Sequence, residues 1–256
     1  MSRHEEFSVG DRPSVSIDVR TGSVEVRSGA AGRTTVALDG PDADRWNVTQ
    51  LGDSVSIEPA GRGGWRSRAT RVLVEVPAGA DVEVRSATAD VALSGVFGAT
   101  RIKTASGDVS VGSATRLDIN TASGDASATS VGAGTSCTTA SGDVHLGRIG
   151  GRLSVSTASG DVRVVEAADD VEIGSASGDV LVEWCGGSDI ALKSISGDLV
   201  VGLPSGIRVE PDLSTLSGRT RLPEPAGHGA SEARRVVRVG LRTVSGDITI
   251  RRVDQR

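Results

Sequence analysis

The sequence predicts an all-β protein: a right-handed parallel β-solenoid, a two-sheet β-helix or β-roll-like stack with about 18 residues per coil. Three observations lead there. One phrase, Thr-Ala-Ser-Gly-Asp-Val, keeps returning, and its Ser-Gly-Asp core occurs seven times. The central glycines of those copies stand 17, 18, 18, 18, 19 and then 49 residues apart, and a near-fixed period with a fixed turn is the mark of stacked repeats. Apolar and polar residues alternate on both sides of each turn, which is the period of half-buried strands.

Each coil reads as strand, turn, strand. The Gly of Ser-Gly-Asp is position zero (Ala89 fills it in one early copy). Position +2 then holds Val91, Val109, Ala126, Val144, Val162, Val180, Leu199 and Ile248. Position +4 holds Leu93, Val111, Ala128, Leu146, Val164, Val182, Val201 and Ile250, on the same face of the strand after the turn. Before the turn, position −5 holds Ile102, Ile119, Cys137, Val155, Ile173, Leu192, Leu213 and Leu241. Position −7 adds Leu117, Leu153, Val171, Ile190 and Val239. Cys137 therefore reads as a small buried hydrophobe. Cys185 lies in a connection beside Trp184, Gly186 and Gly187. Two cysteines in 256 residues do not make a disulfide framework.

The turns form the predicted structural ladder: Gly107 and Asp108, Gly124 and Asp125, Gly142 and Asp143, Gly160 and Asp161, Gly178 and Asp179, Gly197 and Asp198, Gly246 and Asp247. Glycine reaches φ values closed to other residues, and Ser and Asp bond to neighbouring backbone. Thr recurs at −3, where stacked hydroxyls would form a ladder, and Ala at −2 reads as a small residue for a tight corner. Stacked carboxylates about 5 Å apart repel by roughly 0.8 kcal/mol in water and about 3 kcal/mol at an effective dielectric of 20. Turn N–H groups, Ser hydroxyls or a cation must offset that.

The spacing extends upstream, through Val15 and Ile17 before Gly22 and Val24 and Val26 after it. Trp46, Val48, Val55 and Ile57 fit around Asp53, and Val82 and Val84 precede Ala89. The expected organisation is one elongated domain over 1–256. Residues 10–85 are irregular coils, 86–218 regular coils, and 219–256 a C-terminal coil with a loop insertion at 223–235. Ser217-Gly218-Arg219 is a degenerate turn inside the 49-residue gap. An antiparallel sandwich of hairpins is the architectural alternative.

Composition agrees with a thin core. There are 34 Gly, no Tyr, two Phe and three Trp, so small and β-branched side chains must fill the interior. The net charge of −5 is uneven: residues 219–256 hold nine Arg against four acids (+5), leaving −10 for residues 1–218. The acidic body argues against nucleic-acid binding. The basic end reads as a solvated cap or as a dock for an anionic partner. No apolar leader follows Met1, and no run approaches the roughly 18 apolar residues of a membrane span, so a cytoplasmic protein without a transmembrane segment is expected.

The chemistry expected of these residues is sparse. A calcium β-roll needs an Asp turn at both ends of each coil, and the connections at 112–116, 132–135 and 147–152 lack Asp. Sugar cleavage needs paired carboxylates in a groove, and the outward +3 positions (Ala92, Ser110, Ser127, His145, Arg163, Leu181, Val200 and Thr249) hold none. His4, His145 and His228 are scattered, with no zinc spacing. Leu181, Trp184 and Val200 put apolar side chains on a polar face and form a candidate partner patch, the alternative being a spot covered by a loop.

The repeated phrase, with Pro77-Ala-Gly-Ala80 and Val82-Glu-Val84 ahead of it, resembles a bacterial family of β-strand repeats. That family is domain of unknown function 4097, labelled "putative adhesin". The resemblance covers about residues 70–250. It implies a right-handed β-solenoid and a non-enzymatic role in adhesion or envelope-related interaction, and it supplies no catalytic residues. The expected function is a scaffold or adhesin-like interaction protein with an unknown protein or envelope partner and no cofactor. One alternative is a bactofilin-like filament, with weak self-association through open strand edges. The other is a calcium- or carbohydrate-binding β-roll module.

Overall fold

The computed structural model describes residues 2–60, 69–223 and 235–253. Packing divides the chain into two compact units, Met1–Thr129 and Ser130–Arg256.

The first unit begins with β1 (Ser2–Ser8), β2 (Ser14–Val19), β3 (Gly22–Gly29) and β4 (Arg33–Asp39). One turn of 3-10 helix at Ala43–Arg45 precedes β5 (Trp46–Leu51) and β6 (Ser54–Pro59). Then come β7 (Thr70–Pro77), β8 (Asp81–Ser86), β9 (Asp90–Ser106) and β10 (Val109–Ser123), and the chain leaves this unit within β11 (Ala126–Val131). The strands β9 and β10 are long because each runs from one face of the coil onto the next, with a register shift between Val111 and Ser113.

Two rows of strands result. One runs β5, β6, β2, β8 and then the later halves of β9 and β10. The other runs β1, β4, β7, β3 and then the earlier halves of β9 and β10. From β6 and β7 onward every pairing is parallel, as a solenoid requires and a hairpin sandwich forbids. Val15 stacks between Val55 and Val82, and Ile17 between Ile57 and Val84, all of them buried. The coil made of β2 and β3 is first in sequence but second in space, lying between β6–β7 and β8–β9.

The N-terminal region differs from an unbroken run of coils. The segment aligned on Asp53 is an antiparallel hairpin, with Trp46 opposite Pro59 and Leu51 opposite Ser54. Gly52, at φ 60°, makes its tight turn. Period-two alternation does not encode strand direction, so the hairpin satisfied the same pattern. In the other row β4 runs antiparallel to β7 and β1 antiparallel to β4, so antiparallel pairings cover this end of both rows.

The second unit holds β12 (Thr135–Ser141), β13 (Val144–Ile149), β14 (Leu153–Ser159), β15 (Val162–Ala167), β16 (Val171–Ser177) and β17 (Val180–Cys185). It continues with β18 (Asp189–Lys193), β19 (Leu199–Pro204), β20 (Arg208–Ser217), β21 (Thr220–Arg221), β22 (Val236–Ser245) and β23 (Ile248–Val253). One row is β12, β14, β16, β18, β22, β20, and the other is β13, β15, β17, β19, β23, β21, all parallel. Leu153, Val171, Ile190 and Val239 stack as one buried column, and Val155, Ile173, Leu192 and Leu241 as the next. Cys137 extends that second column against Val155, in the buried position expected of it.

The 49-residue gap has a topological cause. The last coil in sequence, β22 and β23, is inserted between β18–β19 and β20–β21. The degenerate turn at Gly218 therefore belongs to the outermost coil. Most of the expected loop insertion, residues 224–234, lies outside the described residues.

Candidate functional site

The turn ladder is built from three interlocking parts. At position −3 the hydroxyls of six successive coils are buried and donate to the carbonyl of residue −1 in their own coil. Thr104, Thr121, Thr139 and Thr157 do so at 3.0–3.1 Å, and Ser175 and Ser194 take the same role at 3.2 Å. The expected ladder of stacked hydroxyls is replaced by these local bonds because the carbonyl two residues on is nearer. Thr215 of the outermost coil, by contrast, is half-buried and donates to the Gly246 carbonyl of its neighbour at 3.1 Å. The glycines adopt φ between 119° and 148°. A Cβ on Gly160 would fall on the Gly142 carbonyl oxygen, nearer than real Cβ contacts come, and Gly178 and Gly197 repeat the clash one coil further on. It is this backbone approach, not a small residue at −2, that sets the tight corner. Ala105, Ala122, Ala140 and Ala158 at −2 point outward and are exposed.

The carboxylates complete the ladder. Asp161 N–H donates to Asp143 Oδ1 at 2.8 Å, Asp179 N–H to Asp161 Oδ1 at 2.9 Å, and Asp198 N–H to Asp179 Oδ1 at 2.8 Å. Asp247 N–H then donates to Asp198 at 2.7 Å. In the first unit Asp108 N–H donates to Asp90 and Asp125 N–H to Asp108, both at 3.0 Å. The carbonyls of Asp108, Asp125, Asp161, Asp179, Asp198 and Asp247 also accept the +2 N–H of the coil before them, as Asp179 does from Val162 at 2.9 Å. A hydrogen bond to an ionised acceptor contributes about 1.5–3 kcal/mol, the size of the repulsion between neighbouring carboxylates. Backbone N–H groups thus offset the charge of the ladder. Among the described residues no three His, Cys, Asp or Glu side chains converge in a metal-holding group.

The outermost coil breaks the ladder twice. Arg219 stands where other turns carry Asp; its N–H donates to Asp247 Oδ1 at 2.8 Å, but it offers no carboxylate onward. Pro211 stands at −7. In coils that have a successor the −7 N–H donates to it, as Thr135 does to Arg152 at 2.9 Å and Leu153 to Asp170 at 3.0 Å. Proline has no such N–H, and on an edge strand it blocks strand addition. An open groove of about 600 Å³ lies beside this edge, lined by Asp189, Arg208–Asp212 and Arg238–Gly240. Asp189, Arg238 and Glu210 sit side by side across three strands, so acidic and basic positions alternate along it.

The candidate patch is partly assembled. Leu181 and Val200 are register neighbours on the outward face of β17 and β19, both half-buried. Arg163 adjoins Leu181 on one side and Thr249 adjoins Val200 on the other. His145, exposed, pairs in register with Arg163. Trp184 is not beside them. It lies at the next corner, in register with Glu166, and its ring covers Gly186, where a Cβ would come within 2.6 Å of it. Its indole Nε1 is buried without a hydrogen-bond partner among the described residues.

Cys185 is fully buried, with Sγ 3.8 Å from the Asp169 carbonyl. Burial pushes its pKa up from about 9.0 to about 11. The thiol keeps its proton, and its contribution to stability, present below about pH 9, is lost as pH rises towards 11. Iodoacetamide at about pH 8 is expected to label neither Cys137 nor Cys185 in the folded protein and both after denaturation. Native labelling counted by intact mass would show that the coils open readily there.

Among the described residues no helix is long and apolar enough to cross a membrane. The profile of a family described as Toastrack DUF4097 matches residues 14–251. No curated protein matches the sequence. Among solved structures, one described as a "putative adhesin" from Parabacteroides merdae is 13% identical, with 98% of this chain and 96% of that chain covered and a TM-score of 0.49. A "putative lipid binding protein" from Parabacteroides distasonis is 15% identical over the same shares, 98% and 96%, at a TM-score of 0.48. A "putative adhesin" from Bacteroides fragilis is 15% identical, with 98% and 97% covered, at 0.43.

Proposed function

The chain belongs to the Toastrack DUF4097 family, and on that premise we propose that it is a non-enzymatic β-solenoid scaffold, an adhesin-like module that binds a protein partner through Leu181 and Val200. One observation carries the reading. In their column the neighbouring coils hold His145, Arg163 and Thr249, and two adjacent aliphatic side chains interrupt that polar column. The ladder carboxylates support a structural role, since those of Asp108, Asp143, Asp161, Asp179, Asp198 and Asp247 each have an oxygen committed to backbone. A rigid stack of coils holds such a pair in fixed register, so little conformational entropy is lost on docking.

The test is a double substitution, Leu181→Asp with Val200→Asp. Both side chains face outward, so circular dichroism and melting are expected to stay close to wild type. Capture of specific proteins from a host envelope fraction is expected to fall at least tenfold, while a Ser110→Asp control leaves it unchanged. Undiminished capture by the folded double variant would sink the proposal.

A further inference from the structure

Three large aliphatic side chains line up on the solvent side of the second unit, away from the Leu181 column. Ile195, Val244 and Leu216 are 59%, 46% and 84% exposed. All three occupy position −2, which other coils fill with alanine. Val244 N–H donates to the Ile195 carbonyl at 3.3 Å, and the Thr215–Thr243 and Ser217–Ser245 pairs bring Leu216 alongside Val244. Far apart in sequence, they become neighbours because the last coil is inserted under the outermost one.

The flanks of this row carry opposite charge. Two positions before it, Lys193 and Arg242 are register neighbours, and Arg242 also reaches Asp212 at 2.7 Å. Beyond the turn lie Asp198 and Asp247, the latter 3.7 Å from Arg221. On the two inner coils the aliphatic row therefore runs between a cationic and an anionic column. Such a surface complements itself in one orientation. A two-fold axis parallel to the row sets each Lys193 and Arg242 against Asp198 and Asp247 of another copy, and aliphatic against aliphatic. An axis across the row sets like charges together. Pro211 and Arg219 close the neighbouring edge to strand addition, leaving side chains to make the contact.

We propose that the Ile195–Val244–Leu216 row is a homodimer surface whose occupant is the same row of a second copy, related by a two-fold axis parallel to it. The proposal stands apart from the Leu181–Val200 reading. Three side chains per copy bury little area, so the dimer is weak, concentration-dependent and weakened by salt.

Val244→Cys tests it, because the axis places the two Val244 positions face to face while Cys137 and Cys185 are buried. Under mild oxidation Val244→Cys is expected to form a covalent dimer at least tenfold faster than a Ser110→Cys control, and Lys193→Glu in the same chain to slow it severalfold. Sedimentation of unmodified protein is expected to show a monomer–dimer equilibrium that Val244→Asp abolishes without altering circular dichroism. Equal crosslinking at positions 244 and 110, or a wild-type monomer at every concentration, overturns the proposal. So does a monomer in which Val244→Asp instead abolishes binding to another protein or to vesicles. The Leu181→Asp, Val200→Asp protein still dimerises, so the two proposals fail separately.

Discussion

Gly160→Ala is expected to lower the melting temperature by roughly 10 °C. The residue sits at φ 122°, and its missing Cβ is where the Gly142 carbonyl oxygen lies. The left-handed conformation alone costs an alanine about 1–3 kcal/mol. Relieving the clash pushes apart two coils that share hydrogen bonds on both sides of the turn, so the total reaches about 3 kcal/mol or more. At roughly 2–4 °C per kcal/mol for a chain of this size, that gives the predicted shift. Gly174→Ala is the internal control: no atom lies within 4 Å of its Cβ position and its φ is ordinary. It is expected to be neutral or slightly stabilising. Equal melts for the two variants would show that the coil spacing yields at the turn.

Pro211→Val with Arg219→Asp is expected to turn the outermost coil into one that accepts a successor. The first change restores the outward N–H at −7, and the second restores the carboxylate that other turns offer to the next backbone. The strand β20 is ten residues long and pairs on one side with β22. Repaired, it becomes a long unprotected edge, the usual template for adding another chain. Sedimentation velocity is expected to show species larger than any the wild-type protein forms, increasing with concentration. Each single substitution should give less, because the other block remains. A double variant that sediments as wild type would mean the end is closed by something besides these two residues. The same two residues argue against the filament reading.

The period, the turn and the inward columns were legible because each is a local pattern repeated many times. Cys137 is an example: its column named its environment before its coil was seen. The adjacency of Leu181 and Val200 was legible for the same reason, since equal positions in successive coils are neighbours. Trp184 was misplaced because it is three residues beyond Leu181, where the inward positions pass from Val182 to Cys185 and its ring turns over Gly186 instead of lying in the Leu181 column. Coil order was not legible. Alternation marks which face is buried, not which neighbour a strand chooses, so β2 and β22 gave no sign of being inserted. The row of Ile195, Val244 and Leu216 was hidden with it. Its signal, a large residue where alanine is usual, was in the sequence and gained meaning only from the stacking order.

The inserted coils also separate the order of synthesis from the order of assembly. Most neighbouring coils in the second unit can zip together as soon as about 18 more residues arrive, by short-range closure. The partner of Val200, Thr249, is 49 positions away. Until β22 and β23 exist, β18 and β20 have no strand between them, and the β20–β21 coil cannot dock. Contacts this distant in sequence form late and slowly. The outer coils of this unit therefore close only once residues 236–253 have been made. A polypeptide stopped before residue 236 would retain Pro211 and Arg219, yet have nothing for them to terminate.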